Sequence, residues 1–394
     1  MPKKITFALL ILLPAIVVNA QVNFTKQPQW NEVLVKAKAE NKFIFMDAYT
    51  DWCVWCKVMD KNTFSTDAVS NYLNLKFIPV KMEMETGYGI TMAMKYHVNS
   101  FPTFLVFDSQ GRLMDRLIGY QKTEPFMANV EKTTSNAGER YLKGYSLEIE
   151  MPFPDFYKKA YIKNEKGKKE MPDSSVVLAW LDSHKDFRKE INWTVLNRFK
   201  YMTSKYDSYI MDHVNELKEL YGSTEVDEFI DNIIYKNFQK AVKSKDEEML
   251  HTSVFTMIDK YHAGDAQKTK QSYEVTFYTQ SGNCAKMMES LTNLVNENGL
   301  EDNSSMVNSS CWEVYEKCDD AELLARASDL VQRVIEKEPE YAYLDTFAAL
   351  LYKSNRLDEA EKFAALAIVE GNKSKENVKS TEELLEKIKS AKAK

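Results

Sequence analysis

Apolar positions between residues 30 and 132 alternate between helical spacing and short strand-like runs. Residues 30–40 have the spacing of a helix, and residues 42–48 form an apolar run suited to a buried strand. Further along, the pattern predicts a helix at 67–73, a strand at 77–82, a helix at 90–97, strands at 101–107 and 113–119, and a helix at 123–132. This order is typical of an α/β domain whose sheet ends in a hairpin.

The chain changes character after residue 137. Residues 138–172 contain several glycines and prolines and a cluster of lysines, which is typical of an irregular connector with short ordered pieces. Residues 173–338 contain no proline, and apolar side chains recur there at helical spacing. We therefore predict an α/β domain at 21–137, a connector at 138–172 that makes few contacts, and an α-helical domain at 173–394.

The end of the helical domain carries a weak repeat-like pattern. Residues 344–369 resemble a tetratricopeptide helix pair, and Pro339 stands about where the preceding helix of such a repeat would end. The alanines of this segment fit solenoid stacking and ordinary helix packing equally well. Two interpretations therefore stay open, a peptide-binding groove and a packed seam without a ligand.

Composition and charge narrow the class of protein. Apolar residues make up 44% of the chain and charged residues 28%, which fits a folded globular protein rather than a disordered chain or a multi-span membrane protein. The formal net charge is −6, and the lysines and arginines form no long block. Because nucleic-acid binding needs a basic face, we expect no nucleic-acid partner.

The N-terminal residues have the pattern of a targeting segment. Two lysines precede the apolar run 5–18, and Val18 and Ala20 are the small residues that a signal peptidase reads. We therefore expect a signal peptide at 1–20, a periplasmic or secreted protein, and no membrane span after cleavage. A retained anchor is the other interpretation, although the run is shorter than the roughly 20 residues that cross a bilayer.

Export makes the five cysteines informative, because disulfides persist outside the cytosol. Cys53 and Cys56 form a C-x-x-C motif at the point where a predicted strand turns into a helix. A helix N-terminus favours the thiolate form, so we assign Cys53 as the nucleophile and Cys56 as the cysteine that resolves the mixed disulfide. A structural disulfide and half of a metal site are the alternatives.

The other three cysteines fall in the predicted helical domain. Cys284 shares a predicted helix face with apolar neighbours and is interpreted as a buried free thiol. If Cys311 and Cys318 lie on one helix, they are about 10.5 Å apart along its axis, which is too far for a disulfide. A bridge from Cys284 to either of them stays open.

Residues 47–57 read Asp-Ala-Tyr-Thr-Asp-Trp-Cys-Val-Trp-Cys-Lys. Together with Lys81, the pair Pro102-Thr103 and Gly119, this segment resembles the thioredoxin-fold family. Residues 43–120 are most similar to the C-terminal periplasmic domain of bacterial thiol:disulfide interchange proteins. The resemblance implies a thioredoxin-like fold for the α/β domain at 21–137, which is about a third of the chain.

The resemblance also implies roles for particular residues. Asp47 would be a buried carboxylate that accepts the Cys56 proton, with Lys81 beside it. A cis bond before Pro102 would face the sulfurs and present backbone to an extended substrate peptide. We predict catalytic roles for Cys53, Cys56, Asp47 and Lys81. We predict substrate binding by Trp52, Trp55, Phe101, Pro102 and Thr103.

Simpler interpretations of the same residues stay open. Asp47 could be a partly solvated carboxylate at a strand end, and Lys81 an ordinary surface lysine. Trp52 and Trp55 could be packing residues. Val54-Trp55 is neither the Gly-Pro of thioredoxin nor the His-containing pair of strong oxidants, so the direction of electron flow is also open.

The sequence therefore predicts an exported thiol:disulfide oxidoreductase that acts on protein disulfides and needs neither a cofactor nor a metal. Its expected partners are proteins with thiols or disulfides and an upstream protein that donates or accepts electrons. The helical domain is predicted to bind clients or partners. The alternative is a helical scaffold or chaperone-like protein whose thioredoxin-like part is a binding module with low turnover.

Overall fold

The computed structural model describes residues 21–135 and 141–393. The signal peptide predicted at 1–20 lies outside the described residues. The chain divides into two compact units, Met1–Ile230 and Asp231–Lys394. Across the described ranges, no helix is both long and apolar enough to cross a membrane.

A five-stranded sheet is the centre of the first unit. Its strands are β1 (Thr25–Lys26), β2 (Phe43–Tyr49), β3 (Phe77–Glu83), β4 (Thr103–Phe107) and β5 (Leu113–Ile118). They lie in the order β1-β3-β2-β4-β5, with β1 and β2 parallel to β3, and β4 antiparallel to β2 and β5. The predicted α/β class with a closing hairpin is confirmed. The sequence pattern did not predict β1, because two residues are too few to show a period.

Five helices accompany these strands along the chain. They are α1 (Trp30–Glu40), α2 (Val54–Asn62), α3 (Asp67–Lys76), α4 (Gly87–Lys95) and α5 (Thr123–Ser135). Each lies within about one turn of its predicted position, since the apolar faces that the sheet buries are the ones that produce the helical spacing.

Phenylalanine rings pack beneath the strands that lead to the cysteine motif. The ring of Phe45 on β2 stacks on Phe104 of β4 at 5.6 Å, and Phe64 and Phe126 meet both of them edge-on. All four side chains are buried, and each contributes about 2 to 3 kcal/mol by leaving water. This packing holds the last residues of β2 and the first residues of β4 in place. The predicted site lies in the segment that follows β2 and in the segment that precedes β4.

The first unit continues through a run of helices. They are α6 (Asp155–Lys159), α7 (Ser174–Asp182), α8 (Glu190–Arg198), α9 (Asp207–Asp212), α10 (Val214–Tyr221) and α11 (Ser223–Ser244), the last of which contains the unit boundary. The α-helical character predicted after residue 173 is confirmed.

The expectation that residues 138–172 make few contacts is wrong for the part that the structure describes. The Tyr157 hydroxyl donates to the carbonyl of Met94 at 2.7 Å. Lys95 is completely buried, donates to the Ser146 hydroxyl in this segment at 2.9 Å, and also forms an ion pair with Glu190. A buried lysine needs such a carboxylate partner, and glycine and proline content does not reveal one. The boundary at residue 137 itself stays a prediction.

A buried polar cluster joins the thioredoxin-like strands to the helices that follow them. Glu225 accepts from Arg116 at 2.8 Å, from the Tyr145 hydroxyl at 2.7 Å and from the Trp193 ring nitrogen at 2.9 Å. Burial raises the pKa of Glu225, while Arg116 opposes the shift. His97 lies 3.3 Å from the same carboxylate, and burial holds its pKa well below the usual range. The cluster gives His97 a structural role.

The second unit is built from helices. After α11 they are α12 (Glu247–Met249), α13 (Thr256–Tyr261), α14 (Ala266–Ser281), α15 (Cys284–Asn298), α16 (Ser304–Lys317), α17 (Ala321–Ile335), α18 (Tyr341–Lys353), α19 (Leu357–Ser374) and α20 (Lys379–Lys392), with a π-helical stretch at Leu250–Phe255. In α18 and α19, Phe347 meets Phe363 edge-on at 4.7 Å, and Ala348, Ala360 and Ala364 are buried. The helix pair predicted at 344–369 is present, and its membership of a repeat stays a prediction.

The interpretation of Cys284 as a free thiol is wrong, because Cys284 forms a disulfide with Cys318. Cys284 begins α15 and Cys318 caps the end of α16, so folding the two helices back on each other brings the sulfurs together. Helical spacing within one element could not reveal a pairing between two elements. Cys311 is a buried free thiol.

Candidate active site

Cys53 and Cys56 form a disulfide at the start of α2. Cys53 is the N-cap residue of α2, and its sulfur accepts a hydrogen bond from the Cys56 backbone N–H at 3.0 Å. A thiolate at this position would be stabilised by that N–H and by the positive end of the helix dipole. The structure therefore places the predicted nucleophile where its thiolate form is favoured.

Asp47 and Lys81 lie side by side on neighbouring strands. They are register partners in the parallel pair β2–β3, and the Lys81 Nζ lies 3.1 Å from Asp47 Oδ2. Asp47 is 1% exposed and Lys81 7% exposed. Among the described residues, Asp47 Oδ1 has no hydrogen-bond partner. The two simpler interpretations, a solvated carboxylate and a surface lysine, do not fit this burial.

Burial controls the charge of this pair. It raises the pKa of Asp47 from 3.8 to about 6, although Lys81 pulls the pKa down. Burial also lowers the pKa of Lys81, but the two neighbouring carboxylates outweigh it and the net shift is upward. Asp47 therefore changes protonation close to neutral pH, which is the range where a general acid or base works best.

Asp60 is a residue that the sequence-based prediction missed. The Lys81 Nζ donates to Asp60 Oδ1 at 2.5 Å, so Lys81 bridges one buried and one half-exposed carboxylate. Asp60 follows Cys56 by four residues on α2, and this helical spacing was the available signal.

A cavity of about 550 Å³ lies next to these groups. Its walls include Cys56, Asp60 and Lys81. The cavity brings the resolving cysteine and the charged lysine to one water-accessible space. Asp47 does not line the cavity, and Lys81 lies between the two, since it lines the cavity and contacts Asp47.

The Phe101–Pro102 bond is cis, as the resemblance implied. Gly119 follows β5 with a φ of +83°, and its N–H donates to the Pro102 carbonyl at 2.9 Å. A positive φ of this size favours glycine. The Thr103 hydroxyl donates to the Ser100 carbonyl at 2.8 Å, and the Thr103 side chain is buried. Gly119 and Thr103 therefore fix the loop that carries Pro102.

Two tryptophans stand at the surface on either side of Cys53. Trp52 is 63% exposed and Trp55 is 56% exposed, so neither is a core residue. Trp52 meets Phe101 edge-on at 5.8 Å, and Trp55 lies 5.5 Å from Tyr120. The structure thus brings Trp52 and the residue before the cis-proline together as one exposed aromatic surface.

Glu85 is a second residue that the sequence did not single out. It accepts from the Trp52 ring nitrogen at 3.0 Å, from Lys163 at 2.9 Å and from Lys169 at 2.7 Å. These hydrogen bonds outweigh the effect of burial and lower the pKa of Glu85 to about 2. A charged carboxylate therefore connects the site to a segment about 80 residues away in the chain, a separation that no local pattern reveals.

The segment that contains this site is similar to known proteins. A thioredoxin-like domain family model matches residues 30–134. The chain is 35% identical over 109 residues to the thiol:disulfide interchange protein DsbD of Yersinia pestis (strain Pestoides F), covering 27% of this chain and 18% of that protein. It is 31% identical over 114 residues to DsbD of Pasteurella multocida (strain Pm70), covering 28% of this chain and 19% of that protein.

Among solved structures, the oxidised C-terminal domain of Neisseria meningitidis DsbD is 21% identical, with a TM-score of 0.25. The alignment covers 26% of this chain and 91% of that domain. The chain spans about a fifth of the length of the DsbD proteins that it matches. Residues 30–134 are a thioredoxin-like domain, and this segment is similar to part of DsbD.

Proposed function

We propose that this protein is a thiol:disulfide oxidoreductase that acts on protein disulfides through the Cys53–Cys56 couple. The observation that carries the proposal is the disulfide at the N-terminus of α2, with Cys56 lining the same cavity as Lys81, the partner of the buried Asp47 carboxylate. A disulfide that served only to staple the fold would not need such a carboxylate.

The reaction is a two-step exchange of disulfide bonds. In the reducing direction, the Cys53 thiolate attacks one sulfur of the client disulfide, and the other client sulfur leaves as a thiolate. Cys56 then loses its proton and attacks the Cys53 sulfur, which forms the Cys53–Cys56 bond and releases the second client thiol. The client gains two electrons and the protein loses two, and the reverse sequence oxidises a client dithiol.

We assign the proton of Cys56 to Asp47. Lys81 supports this assignment, because it contacts Asp47 and also lines the cavity that Cys56 lines. An ionised Asp47 accepts the proton as Cys56 becomes a nucleophile, and Lys81 then interacts less strongly with the neutral carboxyl. Lys81 is therefore a positioning residue in this mechanism, since it acts through Asp47.

The exposed aromatic surface is proposed to receive the client chain. Trp52, the sequence neighbour of Cys53, and Phe101 offer apolar contact, and the backbone around Pro102 is assigned hydrogen bonds to an extended peptide. Trp55 is assigned the same role on the Tyr120 side. The buried Thr103 contributes by holding the loop.

The test is the trapping of the reaction intermediate. Reduced Cys56→Ser protein should accumulate a stable mixed disulfide with a peptide disulfide, because the resolving sulfur is missing. The matched control, Cys53→Ser, should form no such mixed disulfide, because the nucleophile is missing. Mass spectrometry after alkylation locates the bond in each variant. A mixed disulfide on Cys56 of the control that forms as fast as the one on Cys53 of Cys56→Ser would overturn the assignment.

We also propose that the protein is exported and that its helical unit binds clients. The pattern at residues 1–20 supports export, and protein expressed in a Gram-negative host should begin at Gln21 in the periplasmic fraction. On α19, Leu366 and Val369 are exposed apolar side chains available to a partner. Changing both to serine should reduce the yield of client complexes trapped by Cys56→Ser while leaving the reaction with a small disulfide unchanged.

A further inference from the structure

A lysine-rich loop lies beside the proposed active site. We call residues 158–170 the lysine loop; it contains six lysines and two glutamates. Asn164 closes its tip, since the Asn164 carbonyl accepts from the Gly167 N–H at 2.8 Å and its side chain accepts from the Lys166 N–H at 3.0 Å. The Glu170 N–H donates to the Lys159 carbonyl at 2.9 Å and closes the base. The loop is therefore an ordered turn.

Glu85 attaches this loop to the site. Lys163 and Lys169 both bind the Glu85 carboxylate, and the same carboxylate accepts from Trp52, the neighbour of Cys53. The Glu85 side chain is 8% exposed, while the side chains of Lys163 and Lys169 are 47% and 32% exposed. Two side-chain contacts thus separate the loop from the residue next to the nucleophile.

The loop retains positive charge after this attachment. One carboxylate is shared by two lysines, and in the described ranges neither Lys166 nor Lys168 forms an ion pair, although both are exposed. Lys159 lies 3.8 Å from Glu170, and Lys158 lies 3.9 Å from Asp155. Exposed contacts of this length contribute little.

We propose that the lysine loop is a docking element that selects disulfides flanked by acidic residues. The inference rests on the proposed function, and it specifies in addition the charge of the client segment. The preferred client is a protein segment in which aspartates or glutamates border the disulfide, so that they face Lys166 and Lys168 while the disulfide faces Cys53.

The charge of the whole chain explains why a local basic loop selects in this way. The chain has a formal net charge of −6, so an acidic partner gains no attraction from the protein as a whole and is attracted where lysines cluster, as in this loop. A basic partner would be attracted to many acidic positions and would gain no preferred orientation at the sulfurs. Complementary charge at one place sets the orientation in which the two partners meet, as well as the rate at which they associate.

Two cyclic disulfide peptides of equal length test the proposal, one flanked by glutamates and one by lysines, with bis(2-hydroxyethyl) disulfide as a neutral probe. The full chain is reduced, mixed with each probe, and quenched at intervals. Mass spectrometry then follows formation of the Cys53–Cys56 bond. In 50 mM salt the acidic peptide should react about fivefold or more faster than the basic one, a ratio that falls as salt rises.

Lys166→Glu/Lys168→Glu is the test variant, and Lys36→Glu/Lys38→Glu is its matched control. Lys36 and Lys38 are exposed on α1, which precedes the start of β2, whereas the cysteines follow the end of that strand. The test variant should lose or reverse the preference for the acidic peptide, and the control should keep it. Both should react with the neutral probe at the rate of the unaltered protein.

The neutral probe separates the two proposals. No reaction with it in the unaltered protein would overturn the proposed function. A normal neutral reaction with equal rates for the two peptides would overturn the docking role alone, and so would a preference that survives in Lys166→Glu/Lys168→Glu. A preference lost equally in both variants would show that net charge, and not the loop, selects the client.

Discussion

Cys53–Cys56 links residues three apart at a helix start, whereas Cys284–Cys318 links residues 34 apart at the ends of two helices. In the first, exposed tryptophans flank Cys53 in sequence, and Cys56 shares a cavity lining with Lys81, which contacts the buried Asp47. The second joins α15 and α16 of the other unit, in which the remaining thiol, Cys311, is buried. The same bond thus occurs at a helix start with charged side chains nearby and between the ends of two packed helices.

The difference shows how surroundings decide what a disulfide does. A short bridge restrains the unfolded chain little, so its stabilising effect is small, while a long bridge removes more freedom. Reactivity depends instead on thiolate stability and access. Burial raises the pKa of the Cys311 thiol and keeps it inert. Chemistry is therefore expected at the short bridge and stabilisation at the long one.

The largest expected effect concerns activity. Cys53→Ser should abolish reduction of bis(2-hydroxyethyl) disulfide, because the nucleophile is lost. Cys284→Ser/Cys318→Ser should react as the unaltered protein does, since that pair lies outside the site. Single-turnover kinetics with the reduced full chain check both. Loss of activity in the second variant would remove the distinction between the two bridges.

A buried charge should have the next largest effect. Glu225→Gln removes the carboxylate that faces Arg116, and leaving a buried charge unpaired costs about 3 to 5 kcal/mol. Hydrogen exchange of β5, read by mass spectrometry, should become faster because Arg116 lies on that strand. Glu228→Gln is the control, since Glu228 is 43% exposed and pairs with Lys200.

This experiment also tests the boundary at residue 137. If Glu225→Gln leaves the exchange of β5 unchanged, the thioredoxin-like strands are independent of the helices after them, as that boundary supposes. Faster exchange would place residues up to about Glu225 in the same cooperative unit.

The long bridge should stabilise the helical unit by about 4 kcal/mol, and the short bridge should contribute about 2 kcal/mol, by the chain-entropy relation. Urea unfolding of Cys284→Ser/Cys318→Ser and Cys53→Ser/Cys56→Ser, followed by circular dichroism, measures the two values. The differences from the unaltered protein should vanish in excess dithiothreitol. Equal losses in the two variants would argue that loop length does not distinguish the bridges.

The remaining expected effect is a gain in stability rather than a loss. Asp47 has its pKa raised from 3.8 to about 6 on folding, so the folded state binds the proton more tightly and stability falls as pH rises through this range. Asp47→Asn carries no charge and should be more stable than the unaltered oxidised protein at pH 7, by up to about 3 kcal/mol. The difference should disappear below about pH 4.

Asp60→Asn is the matched control for this prediction, because Asp60 contacts the same lysine but is half-exposed. It should change stability much less. A loss of stability at pH 7 in Asp47→Asn would mean that the contact with Lys81 outweighs the burial of Asp47. The same variant should slow release of the client thiol while leaving formation of the mixed disulfide intact.

Local spacing explains which parts of the molecule the sequence could predict. The C-x-x-C motif at a helix start and the proline before β4 are short-range patterns, and the structure places both as expected. Asp47 and Lys81 are far apart in sequence, and it was the resemblance, not periodicity, that placed them together. Their roles in proton transfer stay predictions.

The remaining features depend on packing between distant elements. Glu85 reaches Lys163, Glu225 reaches Arg116, and Cys284 reaches Cys318. In each case the helical or strand pattern around one residue carries no information about its partner. A lysine cluster in a proline-containing segment also looks the same whether it is solvated or docked, which is why the contacts of the connector were not foreseen.

The cavity next to Cys56 bears on how protons and client chains reach the site. Its lining includes Cys56, Asp60 and Lys81 but none of the residues assigned to client binding. Lys81 lines this cavity and contacts Asp47, so we expect a client chain bound at Trp52 and Phe101 to leave the lysine side of the pair open to water. Proton exchange at the pair would then continue while a client is bound.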